Sequence, residues 1–118
     1  MLAEEFKKRT KTFALRIIKM TERLPQTRTA EVIGKQLLRS GTSVGANYRA
    51  ACRAKSQADF IAKMGIVLEE ADECMYWIEL LIEAEIVLKA KVADVLDEAN
   101  QIVAMTVASI NTAKKNKD

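Results

Sequence analysis

Histidine is absent from this sequence of 118 residues, and helix-breaking, cross-linking and aromatic residues are scarce: one proline, four glycines, two cysteines and 5% aromatics. Each shortage excludes something. Without an imidazole there is no base for a Ser-His-acid triad, and none for the Glu-x-x-His pairs that complete metal centres in helical bundles. So few helix breakers, beside 49% apolar and 30% charged residues, describe a helix-rich globular chain and not a disordered one. Cys52 and Cys74 both sit inside helical patterns, where reduced, buried thiols are expected. Few aromatics leave no recognisable platform for stacking bases. No apolar run approaches the ~20 residues of a membrane span. The first twenty residues are charged throughout and lack the apolar stretch of a signal peptide, so the cytoplasm is the expected compartment. No internal repeat, linker or second unit is visible, and residues 1–118 are expected to form one domain.

What is present is a lopsided charge distribution around one unusual stretch. Residues 1–55 carry 13 Lys/Arg against 4 Asp/Glu, whereas residues 56–118 carry 6 against 12, so a net charge of +3 conceals a basic half and an acidic half. Packing of basic helices beside acidic ones explains this, and so does a basic surface for nucleic acid. The unusual stretch is Arg39–Ala54. Two glycines, two serines, a threonine and an asparagine within nine positions suggest a loop, yet no proline interrupts them and helical patterns flank both sides. Wound as a helix, the segment sorts into three sectors. Ile33, Leu37, Gly41, Val44, Tyr48 and Ala51 share an apolar face; Ser40, Ser43, Asn47, Ala50 and Ala54 form a small strip; Lys35, Arg39, Arg49 and Arg53 form a basic one. Small residues on two faces let neighbouring backbones approach, so Gly41, Ser43, Gly45, Asn47 and Tyr48 are expected to be helix-packing positions. Gly41-Thr42-Ser43-Val44-Gly45 also matches the G-x-S-x-G nucleophile elbow. That motif needs a strand-to-helix turn and a histidine, so it carries no chemistry here.

Taken in order, the apolar spacing predicts four helices. The first runs from about Leu2 to Leu24, lined by Phe6, Thr10, Phe13, Ile17, Met20, Thr21 and Leu24, and Pro25–Arg28 is its connection. The second continues from near Thr29 to about Ala54. Ser56-Gln-Ala-Asp59 reads as a capping box opening the third, from about Gln57 to Ala84, so the link between them is expected to be only a residue or two. This third helix carries a continuous stripe from Phe60 to Ile82 and a second stripe of Ile66, Trp77 and Leu81, with Glu70 set among them. One stripe suffices for an isolated bundle, so the second is expected to be covered by another copy of the chain, and a buried Glu70 would need a partner such as an arginine. The fourth helix starts after Glu85-Ile-Val-Leu88, where start and stop signals are poor. Its stripe runs Val92, Val95, Leu96, Ala99, Ile102, Val103, Thr106, Val107 and Ile110, and residues 113–118 are expected to fray. The fold class is therefore all-α, an antiparallel up-down four-helix bundle.

The run Gln36-Leu-Leu-Arg-Ser-Gly-Thr-Ser-Val-Gly-Ala-Asn-Tyr-Arg49 resembles the four-helix-bundle family of the 23S ribosomal RNA intervening-sequence protein. The similarity continues through Arg53-Ala54, Ser56, Asp59-Phe60, Lys63, Ile66, Glu69-Glu70-Ala71, Glu73, Tyr76-Trp77 and Leu80-Leu81, and it includes Phe6, Arg16 and Leu24-Pro25. The fourth helix matches in pattern only. Many relatives have an acidic residue where this chain has Ala50, so any polar contact made there is absent here. The resemblance implies an antiparallel bundle assembled as a ring-shaped homopentamer. Some members are encoded inside insertions in ribosomal RNA genes, and a related branch assists retroelement reverse transcriptases, which implies a nucleic-acid or ribonucleoprotein-binding accessory role.

The residues themselves supply no catalytic group, metal-ligand set, phosphate loop or dinucleotide fingerprint, so no enzyme, cofactor, metal or small-molecule substrate is expected. If nucleic acid is bound, Lys8, Lys11, Arg16, Lys19, Arg23, Lys35, Arg49 and Arg53 are the expected contacts, unless Arg39, Arg49 or Arg53 pairs internally with the acids of the third helix. Ile66, Glu70, Trp77 and Leu81 are the expected oligomer contacts. The alternative is a protein–protein assembly module that binds no nucleic acid.

Overall fold

The computed structural model describes residues 2–116. They form four helices, α1 (Ala3–Glu22), α2 (Arg28–Cys52), α3 (Gln57–Glu83) and α4 (Lys89–Lys115). Contacts run in reverse order along neighbouring helices. A Cβ on Gly41 would meet Ile17, one on Gly45 would meet Thr10, and Tyr48 reaches Phe6, so α2 ascends as α1 descends. Arg39 and Ser40 of α2 meet Glu70, Glu73 and Cys74 of α3, Gln57 at the start of α3 bonds the Ala113 carbonyl near the end of α4, and Arg9 of α1 meets Glu98 of α4. The result is an antiparallel rod of 51 × 21 × 20 Å.

Local chemistry explains where the helices begin. Thr27 caps α2, its Oγ1 accepting the Ala30 amide at 3.3 Å. Ser56 caps α3, its Oγ accepting the Asp59 amide at 3.0 Å. The reciprocal bond of the capping box is displaced by one residue, because Asp59 accepts from the Lys55 amide and not from that of Ser56. α2 ends two residues earlier than its apolar pattern suggested, and the link to α3 is Arg53–Ser56, not one or two residues. α4 remains helical to Lys115, so the expected fraying at 113–115 is not seen; Lys117 and Asp118 lie outside the described residues.

The end of α3, unreadable in the sequence, is a Schellman motif without glycine. The Ile86 amide donates to the Leu81 carbonyl at 2.9 Å and the Glu85 amide to that of Ile82 at 3.0 Å, with Glu85 left-handed at φ 61°. An L-residue at that position carries a steric cost of about 1–2 kcal/mol.

One core runs the length of the rod. Phe13, Ile17, Leu37, Val44, Met64, Val67, Ile78, Leu81 and Ile102 are all fully buried. Three hydroxyl residues join them without breaking the apolar packing. Thr10, Ser40 and Thr106 each donate to the carbonyl four residues earlier in their own helix, at 3.0, 3.0 and 2.7 Å. Among the described residues, no buried side-chain polar atom lacks a partner, and no helix is long and apolar enough to cross a membrane.

The glycine-rich stretch lies wholly inside α2. At Gly41 and Gly45 α1 lies close enough that an added Cβ would press on Ile17 and Thr10, and Tyr48 packs edge-on against Phe6 with ring centroids 4.6 Å apart. Ser43 and Asn47 are half-buried, and Asn47 turns its amide back to the Ser43 carbonyl at 2.9 Å within the same helix. The nucleophile-elbow match is thus mid-helix. Two apolar expectations need correction. Leu81, placed on the stripe facing another copy, is fully buried in the chain's own core, and Val107 of α4 is 39% exposed. Both displacements follow from how far each long helix rotates relative to its neighbours, which spacing alone does not fix.

Candidate nucleic-acid interface

α1 presents its cations outward because its apolar positions recur at helical period and leave the remaining faces to lysine and arginine. Lys8, Lys11 and Lys19, with Arg23 just past the end of α1, are exposed and Arg16 is half-buried; Lys35 and Arg49 on α2 and Arg53 just past its end are exposed. Among the described residues, none of these eight makes an ion pair.

The structure does not gather them into one site. Arg16, Lys19 and Arg23 line a groove of about 430 Å³ between the C-terminal half of α1 and the start of α4. They are joined there by Lys91, over a floor of Met20, Leu24, Ile86, Val87, Val92 and Val95. No carboxylate lines it. Lys35 borders a separate depression with Glu22 and Glu31, at the α1–α2 turn. Lys8, Lys11, Arg49 and Arg53 stand on open surface. Lys91 escaped the sequence reading because the start of α4 has no cap signal; Leu88 occupies its N-cap without a side-chain bond.

The groove exists because α1 and α4 touch more sparsely than the consecutive helices do. Their seam is held midway by Arg9, whose guanidinium grips Glu98 with two bonds, Nε to Oε2 at 2.7 Å and Nη2 to Oε1 at 2.9 Å. Gln101 accepts a further bond from Arg9. Beyond this clasp the seam opens again into an uncharged cavity of about 480 Å³ lined by Phe6, Tyr48, Phe60 and Met105. Arg9 lies three residues after Phe6 and four before Phe13, so it sits beside the apolar face of α1 and not opposite it.

On the α2–α3 side the acids are occupied. Arg39 bonds Glu70 at 2.9 Å and Glu73 at 2.7 Å, which supplies the arginine that Glu70 required. Hydrogen bonding from Arg39 holds the Glu73 carboxyl below its ordinary value, and the Trp77 indole, donating at 3.1 Å, helps. Trp77 is therefore half-buried with its polar edge engaged, while Ile66 is 43% and Tyr76 55% exposed. Both cysteines are free. Cys74 donates to Ser40 Oγ at 3.4 Å, and burial pushes its thiol up to about 12.

A model of the family described as 23S rRNA-intervening sequence protein matches residues 4–108, nearly the whole bundle. The chain belongs to that family. A crystal structure of a protein of unknown function from the S23 ribosomal protein family of Bacteroides thetaiotaomicron VPI-5482 is similar to it over 94% of this chain and 99% of the other, with 38% identity and a TM-score of 0.87. No curated protein matches. The match therefore reaches into α4, which resembled the family only in pattern.

Proposed function

We propose that this member of the 23S rRNA-intervening sequence protein family is a non-catalytic, cytoplasmic accessory protein that binds nucleic acid or a ribonucleoprotein as a ring-shaped homopentamer. The observation that carries the reading is the division among its cations. Arg39 and Lys63 are spent on the acids of α3 and Arg9 on Glu98, whereas the eight of α1 and α2 named above have no carboxylate within ion-pairing distance among the described residues. Unpaired cations on exposed helix faces suit phosphates, and a ring would repeat them so that weak contacts add. The family name, taken from an insertion in ribosomal RNA, agrees with such a partner.

Phosphate contacts make a distinctive prediction. Retention of a single-stranded RNA or a DNA duplex should be largely indifferent to sequence, and log affinity should fall with log salt by about 0.7–0.9 per phosphate engaged. Reversing Lys8, Lys19 and Arg23 to glutamate should abolish retention while leaving the oligomer's mass unchanged. Absence of retention by the parent protein even at low salt would refute the reading. In that case a protein–protein assembly module is the better description, and the exposed Ile66 and Tyr76 on α3 favour it.

A further inference from the structure

We propose that the groove between α1 and α4 is a docking slot for an acidic amphipathic helix of a partner protein. This goes beyond the nucleic-acid reading, because such a helix would occupy three of the same cations for a different reason. Along the α1 wall, Arg16, Lys19 and Arg23 repeat at intervals of three and four residues over about two turns, or roughly 11 Å of helix. Lys91 faces them from α4. A single anionic head group would use one or two of these charges. A row of them matches anions repeated along an extended partner. The α4 N-terminus adds to the same field, since its first turn contains no acid and Leu88 offers its amides no side-chain cap.

The floor distinguishes between extended anions. Between the cations lie Leu24, Val92 and Val95, with Leu88 projecting 69% exposed at the rim. A phosphodiester backbone has no aliphatic stripe to lay on such a floor, and no aromatic side chain lines the groove to stack a base. An amphipathic helix with acids beside its apolar stripe satisfies both features, in the manner of helix-in-groove recognition. The acidic face of α3 on a second copy does not. The outward row of α3, Glu69, Asp72, Glu79 and Glu83, is acidic, but Tyr76 and no aliphatic stripe lies among those acids.

The test uses full-length protein and a fluorescein-labelled synthetic peptide of about three to four helical turns, with leucines at i, i+3, i+4 and i+7 flanked by glutamates. A peptide of the same composition in scrambled order is the control. Anisotropy titrations near physiological salt should show saturable binding of the striped peptide and binding at least about tenfold weaker for the scrambled one. Charge reversal at Arg16 and Arg23 together should weaken the striped peptide at least about tenfold, whereas Lys35→Glu, on the α1–α2 side, should change nothing. Leu88→Ser gives α4 a better cap and so does not threaten the fold; it should weaken the peptide about threefold. Equal binding of both peptides, or of neither, overturns the proposal. So does light scattering in which reversal at Arg16 and Arg23 lowers the mass, because the groove then holds another copy. Failure of the peptide with RNA still retained sinks this inference alone, and the opposite pattern sinks only the nucleic-acid reading.

Discussion

Gly41→Ala and Gly65→Ala are the same substitution in two helix interiors, and they should move stability in opposite directions. A Cβ at Gly41 would lie 2.7 Å from Ile17 Cγ2, 2.9 Å from Cγ1 and 3.0 Å from Cβ. Carbon atoms prefer about 3.5–4.0 Å, so α1 and α2 must part by several tenths of an ångström or Ile17 must move. Ile17 cannot swing aside, because it is fully buried and a β-branched side chain in a helix has one favoured χ1. Overpacking of this kind costs about 1–3 kcal/mol, partly offset by the ~1 kcal/mol that alanine gains over glycine in a helix. The net expectation is a loss of up to about 2 kcal/mol. At Gly65 a Cβ meets nothing within 4 Å, so only the propensity gain of ~1 kcal/mol remains. Urea unfolding at one fixed protein concentration, with unchanged slope, should therefore separate the two variants by about 1–3 kcal/mol, the overpacking cost itself. Adding Ile17→Ala completes a cycle. Alone it opens a cavity costing about 2–5 kcal/mol, and the methyl that Gly41→Ala introduces should refill part of it, giving a favourable coupling of about 1–3 kcal/mol. If Gly41→Ala is as stable as Gly65→Ala, or the cycle is additive, the close approach of α1 and α2 is not as described.

Glu85→Gly should raise stability by about 0.5–1 kcal/mol, because glycine relieves the left-handed strain of the α3 terminus at some cost in unfolded-chain entropy; an unchanged urea midpoint would count against that turn. The carboxyls of Glu73 and Asp59 are both held low, first by hydrogen bonds from Arg39 and Lys63, so their stabilisation is fully present above the unfolded carboxylate values and lost as pH falls through the folded ones. Midpoints should accordingly drop on acidification below the ordinary glutamate value of 4.5, and Arg39→Gln should flatten that dependence. Iodoacetamide at mildly alkaline pH should label half-buried Cys52 readily and leave Cys74, raised to about 12 and fully buried, unmodified until the bundle opens; equal rates would contradict the burial. If the chain assembles as proposed, its oligomeric mass should survive Lys8→Asp and fall with Trp77→Asp, as measured by light scattering.

Helical period made the four helices and most of the core legible, because Phe6, Phe13, Ile17, Leu37, Val44, Met64, Val67, Ile78 and Ile102 repeat where one buried face demands them. The need of Glu70 for an arginine was legible too, since a carboxylate amid apolar neighbours has few alternatives. Three things were not. The α3 terminus hid because its left-handed residue is glutamate and not glycine. The burial of Leu81 depends on the rotation of α3 against its neighbours, and a residue on the edge of a stripe turns inward or outward with a small change in that angle. The basic groove depends on α4 lying beside α1, which brings Lys91 to Arg16, Lys19 and Arg23 across most of the chain.

The Arg9–Glu98 clasp also bears on how the molecule forms and fails. Every other helix contact joins consecutive segments, and such hairpins close over short loops. The clasp joins positions 89 residues apart, so its closure carries the largest loop entropy in the bundle and is expected late in folding. The same seam, sparse in contacts and open at both ends, leaves α1 held densely on α2 alone. A sub-global opening in which α1 swings away on the Arg23–Thr27 connection must therefore break its packing at Gly41, Gly45 and Tyr48 while α2, α3 and α4 stay packed. Hydrogen exchange along α1 would then outpace that of α3, and a protease would find the chain first at its basic helix.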